Sequence, residues 1–340
     1  MEFGVFYQLP CADEQIAAVR IQDTIAQCKL ADELGFDAAW LAELHFNPRF
    51  SVLSAPLMVA SAVAQSTKRI RIGNAVNLLP LHQPVRLAEE VATLDVLSNG
   101  RAIFGVGRGS MPTHFEGYGI DQQEGRERFI EGLELVLGSW IQDEFSYSGK
   151  FYRSFGYSIT PKPIQQPHPP VYVAANSSDT FGMVGQLGHS ILVAPTIVTT
   201  QGALTGLESY RAELAENSHD KSKLKVNINV PMHVSETEKE ARTGFTKTIN
   251  NYLETLRDIG RSRGVSRGSS RADSLDADAV MDEFAAVGTP EQVSEKLYKF
   301  KEMYGPDEFM CWFNIGGMLT HDEVEHSMCL FAKEVMPRFT

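Results

Sequence analysis

Short apolar runs alternate with longer amphipathic stretches from one end of the 340-residue chain to the other. The runs at 3–7, 38–41, 70–75, 102–106, 171–174, 190–193, 226–230 and 309–313 have the length and apolar continuity of strands buried on both faces. Between them, stretches such as 16–34, 84–97 and 128–141 repeat apolar residues at helical spacing. These stretches are long enough to cross over and return the next strand parallel to the last. Eight strands in a continuous β-α order predict an α/β fold, a closed (β/α)8 TIM barrel, as a single domain over residues 1–340.

Helix boundaries are legible in places. Thr289-Pro290-Glu291-Gln292 sets out an N-cap threonine, a proline at the first helical position and a capping-box glutamine, which predicts a helix over 290–304. Gly35 and Gly100 stand where a left-handed cap must end a helix before the next strand. Two segments interrupt the alternation. Residues 145–170, an insertion after the fourth βα unit, alternate aromatic and polar side chains and then become proline-rich, predicting a hairpin and an extended linker. Residues 260–278 set Arg261, Arg263, Arg267 and Arg271 among glycines and serines with few apolar residues, which predicts a mobile lid loop.

Composition narrows the function. With 43% hydrophobic and 22% charged residues the chain has enough apolar content for a large core, so neither disulfides nor a structural metal is needed. The four cysteines, Cys11, Cys28, Cys311 and Cys329, are far apart and form no zinc-type spacing. A net charge of −12 would repel phosphate backbones, so nucleic acid is not an expected partner. No apolar run approaches the roughly 18 residues of a membrane span, and Met1-Glu2-Phe3-Gly4 is unlike a signal peptide, so a cytoplasmic address is expected, with no membrane partner.

Chemistry in such barrels sits on the C-terminal ends of strands and the loops that follow. Those positions here hold Glu43, His45, Asn74, Asn77, Arg108, Asn176, Ser177, Ser178 and Asn314. The plainer reading of each is a cap or a satisfied loop backbone. Arg108 lies within Gly105-Val106-Gly107-Arg108-Gly109-Ser110, where glycines allow close backbone approach and a guanidinium suits an anion. Asn176-Ser177-Ser178-Asp179-Thr180 offers hydroxyls and the free N–H groups of a helix start to the same anion, completing a candidate phosphate cradle. The alternative for Arg108 is a surface salt bridge. His45 could serve as a general base or hydrogen-bond a heterocycle, or be a packed loop histidine, with His82 and His114 behind it as candidates. Zinc-hydrolase, serine-hydrolase and Rossmann motifs are absent from the sequence.

Taken in order, Trp40-x-x-Glu43-x-His45-Phe46, Leu79-Pro80-x-x-x-Pro84-Val85-Arg86-x-Ala88-Glu89, Asp95-x-Leu97-Ser98-x-Gly100-Arg101, Gly105-Val106-Gly107-Arg108-Gly109 and Gly288-Thr289-Pro290-Glu291 run nearly end to end. With these motifs the chain resembles the bacterial luciferase-like, flavin-dependent monooxygenases. The resemblance implies a barrel that binds FMN at its C-terminal mouth, with Arg108, Ser177 and Thr180 around the phosphate. It puts the flavin ring near the end of the third strand, beside a non-proline cis peptide near Asn74-Ala75. Candidate cofactor-binding residues are therefore Phe6, Glu43, Asn74, Ala75, Arg108, Asn176, Ser177, Ser178 and Thr180, with His45 the candidate catalytic group and no metal.

The resemblance further implies a two-component monooxygenase. A separate NAD(P)H:flavin reductase supplies reduced FMN, which reacts with O2 to a flavin C4a-peroxide that oxidises a small organic substrate. It also implies a homodimer, for which an apolar helix over 53–64 is the candidate interface. The lid at 260–278 favours a catalytic chain over a non-catalytic flavin-binding partner subunit; a deazaflavin-dependent oxidoreductase of the same superfamily is the other reading. Two departures matter: Glu43-Leu44-His45-Phe46 has leucine where the luciferase pattern has its first histidine, and Asn176 replaces a glutamate. Leucine exchanges no proton, so light-emitting aldehyde oxidation is not expected.

Overall fold

The computed structural model describes residues 1–264, 266, 268 and 271–339. Eight parallel strands among them form a barrel: β1 (Glu2–Tyr7), β2 (Ala38–Leu41), β3 (Arg71–Asn74), β4 (Ala102–Gly107), β5 (Val171–Ala174), β6 (Ser190–Val193), β7 (Val226–Val234) and β8 (Glu308–Trp312). Each pairs with its sequence neighbours, and β8 returns to β1 through Phe3↔Phe309, so the barrel strands leave no edge unpaired. The expected fold class is thus the observed one.

Strand alternation divides the apolar residues between two environments. Phe3, Val5, Phe104, Val173, Ile191, Ile228 and Phe309 join the core beneath the surrounding helices. Trp40, Ile103, Tyr172, Leu192 and Met310 fill the barrel itself. The Trp40 ring needs two glycines beside it, because a Cβ on Gly73 would come within 2.6 Å of the ring and one on Gly4 within 2.8 Å. Its indole N–H donates to Glu308 Oε1 at 2.7 Å at the lower end of the barrel. Burial there pushes the Glu308 carboxyl up to about 7.

Local signals set the helix ends. The helix Pro290–Tyr304 starts with the Thr289/Gln292 capping box, and Gly35, at φ 98°, closes the helix Ala17–Leu34. In the insertion, Phe145–Ser148 and Arg153–Tyr157 pair as an antiparallel hairpin. The apolar helix anticipated over 53–64 is instead Pro56–Ser66, because Pro56 takes the first helical position.

The segment anticipated as a lid loop at 260–278 differs from expectation. Its first residues continue the long helix Glu238–Ser262, and Arg271–Ser274 and Ala277–Glu283 are helical too. Hydropathy undercounts this region: Ala272 and Ala277 are buried, and Arg257 donates to the carbonyls of Ala272 and Leu275. Val265, Arg267, Ser269 and Ser270, also within that expected loop, lie outside the described residues.

Among the described residues, the helices Glu238–Ser262, Arg271–Ser274 and Ala277–Glu283 form a roof. The long helix passes the exit of β8, where Thr248 donates to Asn314 Oδ1 at 3.2 Å, and the loop after β2, where Arg49 pairs with Asp258 at 2.9 Å. Arg263 then reaches Thr113 after β4 at 3.3 Å, so the crossing spans the C-terminal mouth. Beneath it lies a second core of Phe245, Ile249, Leu253, Val280, Phe284 and Trp312. Among the described residues, no helix is long and apolar enough to cross a membrane.

Candidate active site

At the mouth, the inward positions of the strand exits are small on one side and aromatic on the other. Ala75, Val76 and Ala174 lie over the barrel filling and remain partly exposed, and Phe6 stands across from them, edge-on to Trp312 at 5.1 Å. The result is a shallow apolar floor. The cis peptide is Ala75–Val76, one bond beyond Asn74-Ala75.

The glycine motif at the end of β4 belongs to this floor. A Cβ on Gly105 would drive into the carbonyl oxygen of Asn74, and one on Gly107 would come within 2.6 Å of Val76 Cγ2. These glycines therefore admit the exit of β3 rather than the ligand that the sequence suggested. Asn77 donates to the Gly105 carbonyl at 2.9 Å, while the buried Asn74 amide has no partner among the described residues. Asn314 is committed to its own loop, bonding both the N–H and the carbonyl of Leu319.

Beside the floor is a small cleft lined by Arg108, Arg126, Ala174, Asp179, Thr180 and Met183. Arg108 is exposed and pairs with no acid among the described residues, which removes the salt-bridge alternative. Ser177 is the N-cap of the helix Ser178–Leu187, yet its hydroxyl bonds Thr180 Oγ1 at 2.8 Å and caps no N–H. The start of that helix, with the positive end of its dipole, borders the cleft through Asp179 and Thr180. Asn176 and Ser178 are exposed at its rim.

Arg126 went unnoticed in the sequence. It opens the helix Gly125–Ile141 and enters the cleft only because that helix start lies beside Asp179, 3.9 Å from its guanidinium. No spacing in the chain links residue 126 to residue 179.

Glu43 and His45 sit apart from this cleft, in a buried polar cluster. Glu43, 3% exposed, accepts from His45 Nε2, His82 Nε2 and the Leu78 N–H, each at 2.9 Å. Burial alone would raise its carboxyl, but the hydrogen bonds from His45 and His82 prevail and hold it at about 2. For His82, burial works downward and is outweighed by Glu43, so its value is raised. The His45 backbone N–H donates to His114 Nε2 at 3.2 Å, which leaves the His114 ring proton on Nδ1. Burial first, then neighbouring His45, lowers His114 to about 4. His45 itself is 5% exposed, and its Nδ1 faces the Tyr118 hydroxyl at 3.4 Å.

Glu43 thus ties the loop after β2 to the loop after β3, with no oxygen left over for a ligand. The structure brings together Glu43, His45, His82 and His114, and separately Arg108, Ser177 and Thr180 with Arg126. Leu44, between Glu43 and His45, instead packs against the apolar core under the roof.

A parallel barrel with a polar cleft and a roofed floor at the C-terminal end of its strands is built as (β/α)8 enzymes are. Comparison with known proteins gives the family: the model described as luciferase-like monooxygenase matches residues 1–306, and the chain belongs to that family of enzymes. The alkanal monooxygenase alpha chain of the Kryptophanaron alfredi symbiont is 28% identical, over 99% of this chain and 98% of that one. The oxygenase component of a flavin-dependent trigonelline monooxygenase from Acinetobacter baylyi is 24% identical, over 100% and 96%. An uncharacterized Sinorhizobium fredii protein is 35% identical, but the match covers only 61% of this chain and 60% of that protein.

Among solved structures, the monooxygenase RslO1 of Streptomyces bottropensis superimposes with a TM-score of 0.90 at 25% identity, covering all of both chains. The oxygenating constituent of 3,6-diketocamphane monooxygenase of Pseudomonas putida, in complex with FMN, has a TM-score of 0.84 at 22% identity over 99% and 98%. An F420-dependent secondary alcohol dehydrogenase shares the fold, with a TM-score of 0.78 at 17% identity over 100% and 99%.

Proposed function

We propose that this chain is the oxygenase component of a two-component flavin monooxygenase, binding reduced FMN at the barrel mouth and using O2 to oxidise a small organic substrate. A separate NAD(P)H:flavin reductase would supply the reduced flavin. The observation that carries this reading is one continuous surface: a cleft with two arginines and a helix N-terminus opens onto a floor of small apolar residues. A phosphate fits the first part and a flat ring the second.

In this reading Arg108, Arg126, Ser177 and Thr180 hold the phosphate, with Asn176 and Ser178 at the rim, while Phe6, Asn74, Ala75 and Val76 surround the ring. Arg126 exchanges its long contact with Asp179 for the ligand. When bound, the flavin supplies the electrons that activate O2. The chain's own residues orient the ring, and the roof helices keep water from it. Glu43 and His45 act as positioning residues, holding the loops after β2 and β3 in register. Two copies of the chain would associate through the outer face of the helix Pro56–Ser66, where Met58 is exposed.

Anaerobic titration with reduced FMN and with reduced riboflavin tests the assignment. Arg108→Ala should weaken FMN binding by at least about tenfold, the loss of one charge-assisted hydrogen bond, and leave riboflavin binding nearly unchanged. Equal losses for both flavins would remove the phosphate from this cleft. If the protein ignores reduced FMN, binds F420 and consumes no O2 with a reductase present, the deazaflavin reading replaces this one.

A further inference from the structure

We infer that the mouth carries a second anion site, centred on Arg20, and that the organic substrate is a small carboxylate or sulfonate whose apolar body rests on Phe6. The inference rests on the reading above, which places the flavin ring on the floor that Phe6 faces.

Three elements meet at this site. Phe6 and Trp312 lie near the ends of β1 and β8, edge-on to each other at 5.1 Å, and Arg20 lies in the first turn of the helix Ala17–Leu34, which starts at the same end of the barrel. A narrow cleft between them is lined by Phe6, Gln8, Arg20, Gln27, Trp312 and Asn314. It shares no lining residue with the cleft assigned to the phosphate. Phe6 connects it to the floor, because Phe6 also packs on the barrel filling, as Ala75, Val76 and Ala174 do.

Arg20 is a charge that the protein leaves unanswered. Its Nε donates to the Pro10 carbonyl at 3.2 Å, and no carboxylate pairs with it among the described residues. Burial lowers its pKa from the ordinary value and outweighs Asp23, which acts on it through space. Asp23 itself lies 3.7 Å from His321, whose other nitrogen is 3.1 Å from Glu325. The neutral groups of the lining already donate within the protein: Gln8 to the Phe50 carbonyl at 2.8 Å, Gln27 to His321 at 3.1 Å and Asn314 to the Leu319 carbonyl at 3.2 Å. The two Nη groups of Arg20 have no such acceptor among the described residues. They form a planar fork that matches a carboxylate or sulfonate, and charge-assisted bonds of this kind are the strong ones. The cleft is narrow, so it takes the head group, and the apolar body stays against the Phe6 ring, where ring and alkyl contacts are favourable. An ammonium would meet like charge here, and a neutral substrate would leave the guanidinium without a partner.

Calorimetric titration of the full chain saturated with FMN, which occupies the other anion cleft, tests this with benzoate against benzamide and hexanoate against hexanamide. At least one anion should bind tenfold or more tighter than its amide, the worth of a charge-assisted bond. Arg20→Met should bring that ratio below about threefold while FMN affinity is kept, with thermal melting to show that the variant is folded. In crystals of the unaltered protein, anomalous scattering from 3-bromobenzoate should put its carboxylate on the Arg20 guanidinium, which decides the matter even if Arg20→Met does not fold. No anion binding, an anion that binds no tighter than its amide, a ratio unmoved in folded Arg20→Met, or bromobenzoate seated elsewhere would each overturn the proposal. If FMN fails to bind, the flavin reading falls by itself. The same titration of the FMN-free protein then decides, with Arg108→Ala beside Arg20→Met: a preference lost only in Arg20→Met supports the site, and one lost only in Arg108→Ala moves the anion to the other cleft and overturns it.

Discussion

A carboxylate buried as deeply as Glu43 is tolerated only when donors fill its oxygens, and His45, His82 and the Leu78 N–H converge on it for that purpose. The cluster makes stability depend on pH, with signs that follow from the direction in which each group is displaced. Glu43, held near 2 against an ordinary 4.5, contributes fully above about pH 4.5, and that contribution is lost as pH falls toward 2. His114, lowered to about 4 from 6.5, is buried neutral; its contribution is complete above 6.5 and lost as pH falls through 4. Each is worth at most roughly 3.5 kcal/mol, because a tenfold change in proton affinity corresponds to about 1.4 kcal/mol. His82 has the opposite sign, because its raised value favours the folded state at low pH and fades as pH rises through it. Glu308, raised by burial to about 7, has the same sign as His82, so the change in melting temperature between pH 7 and pH 5 is a balance in which His114 pulls downward. His114→Asn keeps an acceptor for the His45 N–H but has no proton to gain, so on going from pH 7 to pH 5 the variant should lose less, or gain more, in melting temperature than the parent. His189, lowered by burial to about 4, pulls downward in both proteins alike. An unchanged difference between the two pH values would refute this role for His114.

At the scale of the element, local chemistry set the ends and neighbours set the faces. The helix Pro56–Ser66 begins at its proline, but which of its apolar residues meet solvent depends on what it packs against. Val59 is 8% exposed and belongs to the main core, while Met58 is 75% exposed. An interface through this helix must use Met58, and Val59, the position favoured by hydropathy alone, is unsuitable as a probe. Met58→Glu should leave the melting temperature nearly unchanged and convert a dimer to monomers in sedimentation. Val59→Glu buries an unpaired charge and should cost several kcal/mol in any assembly state. A dimer that survives Met58→Glu would exclude this face.

For the whole molecule, barrel and roof have their own cores, joined by Phe6 and Trp312 and by a few polar ties across the mouth. Arg271 is one of these: its guanidinium donates to the carbonyls of Pro195 and Thr196 after β6 and lies over the Phe284 ring at 4.7 Å. Arg271→Ala removes the tie and leaves the barrel pairing intact. Global stability should then change by about 1 kcal/mol, while amide exchange accelerates at 196–199 and 272–284. Faster exchange throughout the barrel strands would show that roof and barrel unfold as one unit.

Much of this protein was determined by sequence alone, because much of it is local. Alternating apolar runs defined the eight barrel strands to within a few residues, and the Thr289/Gln292 box and Gly35 marked helix ends through bonds spanning only a few positions. Arg108 with Ser177 and Thr180 was legible for the same reason, since each follows directly from a strand end. What depends on contacts between distant parts of the chain was decided by tertiary structure. Arg126 joined the cleft from another helix; Gly105 was needed because of Asn74, thirty-one positions earlier in the chain; and the helices at 271–283 formed where composition suggested a loop. The opposed directions of Leu44 and His45 belong here too. Adjacent residues point apart, but only the packed roof on one side and the Glu43 cluster on the other decide which of them joins the apolar core.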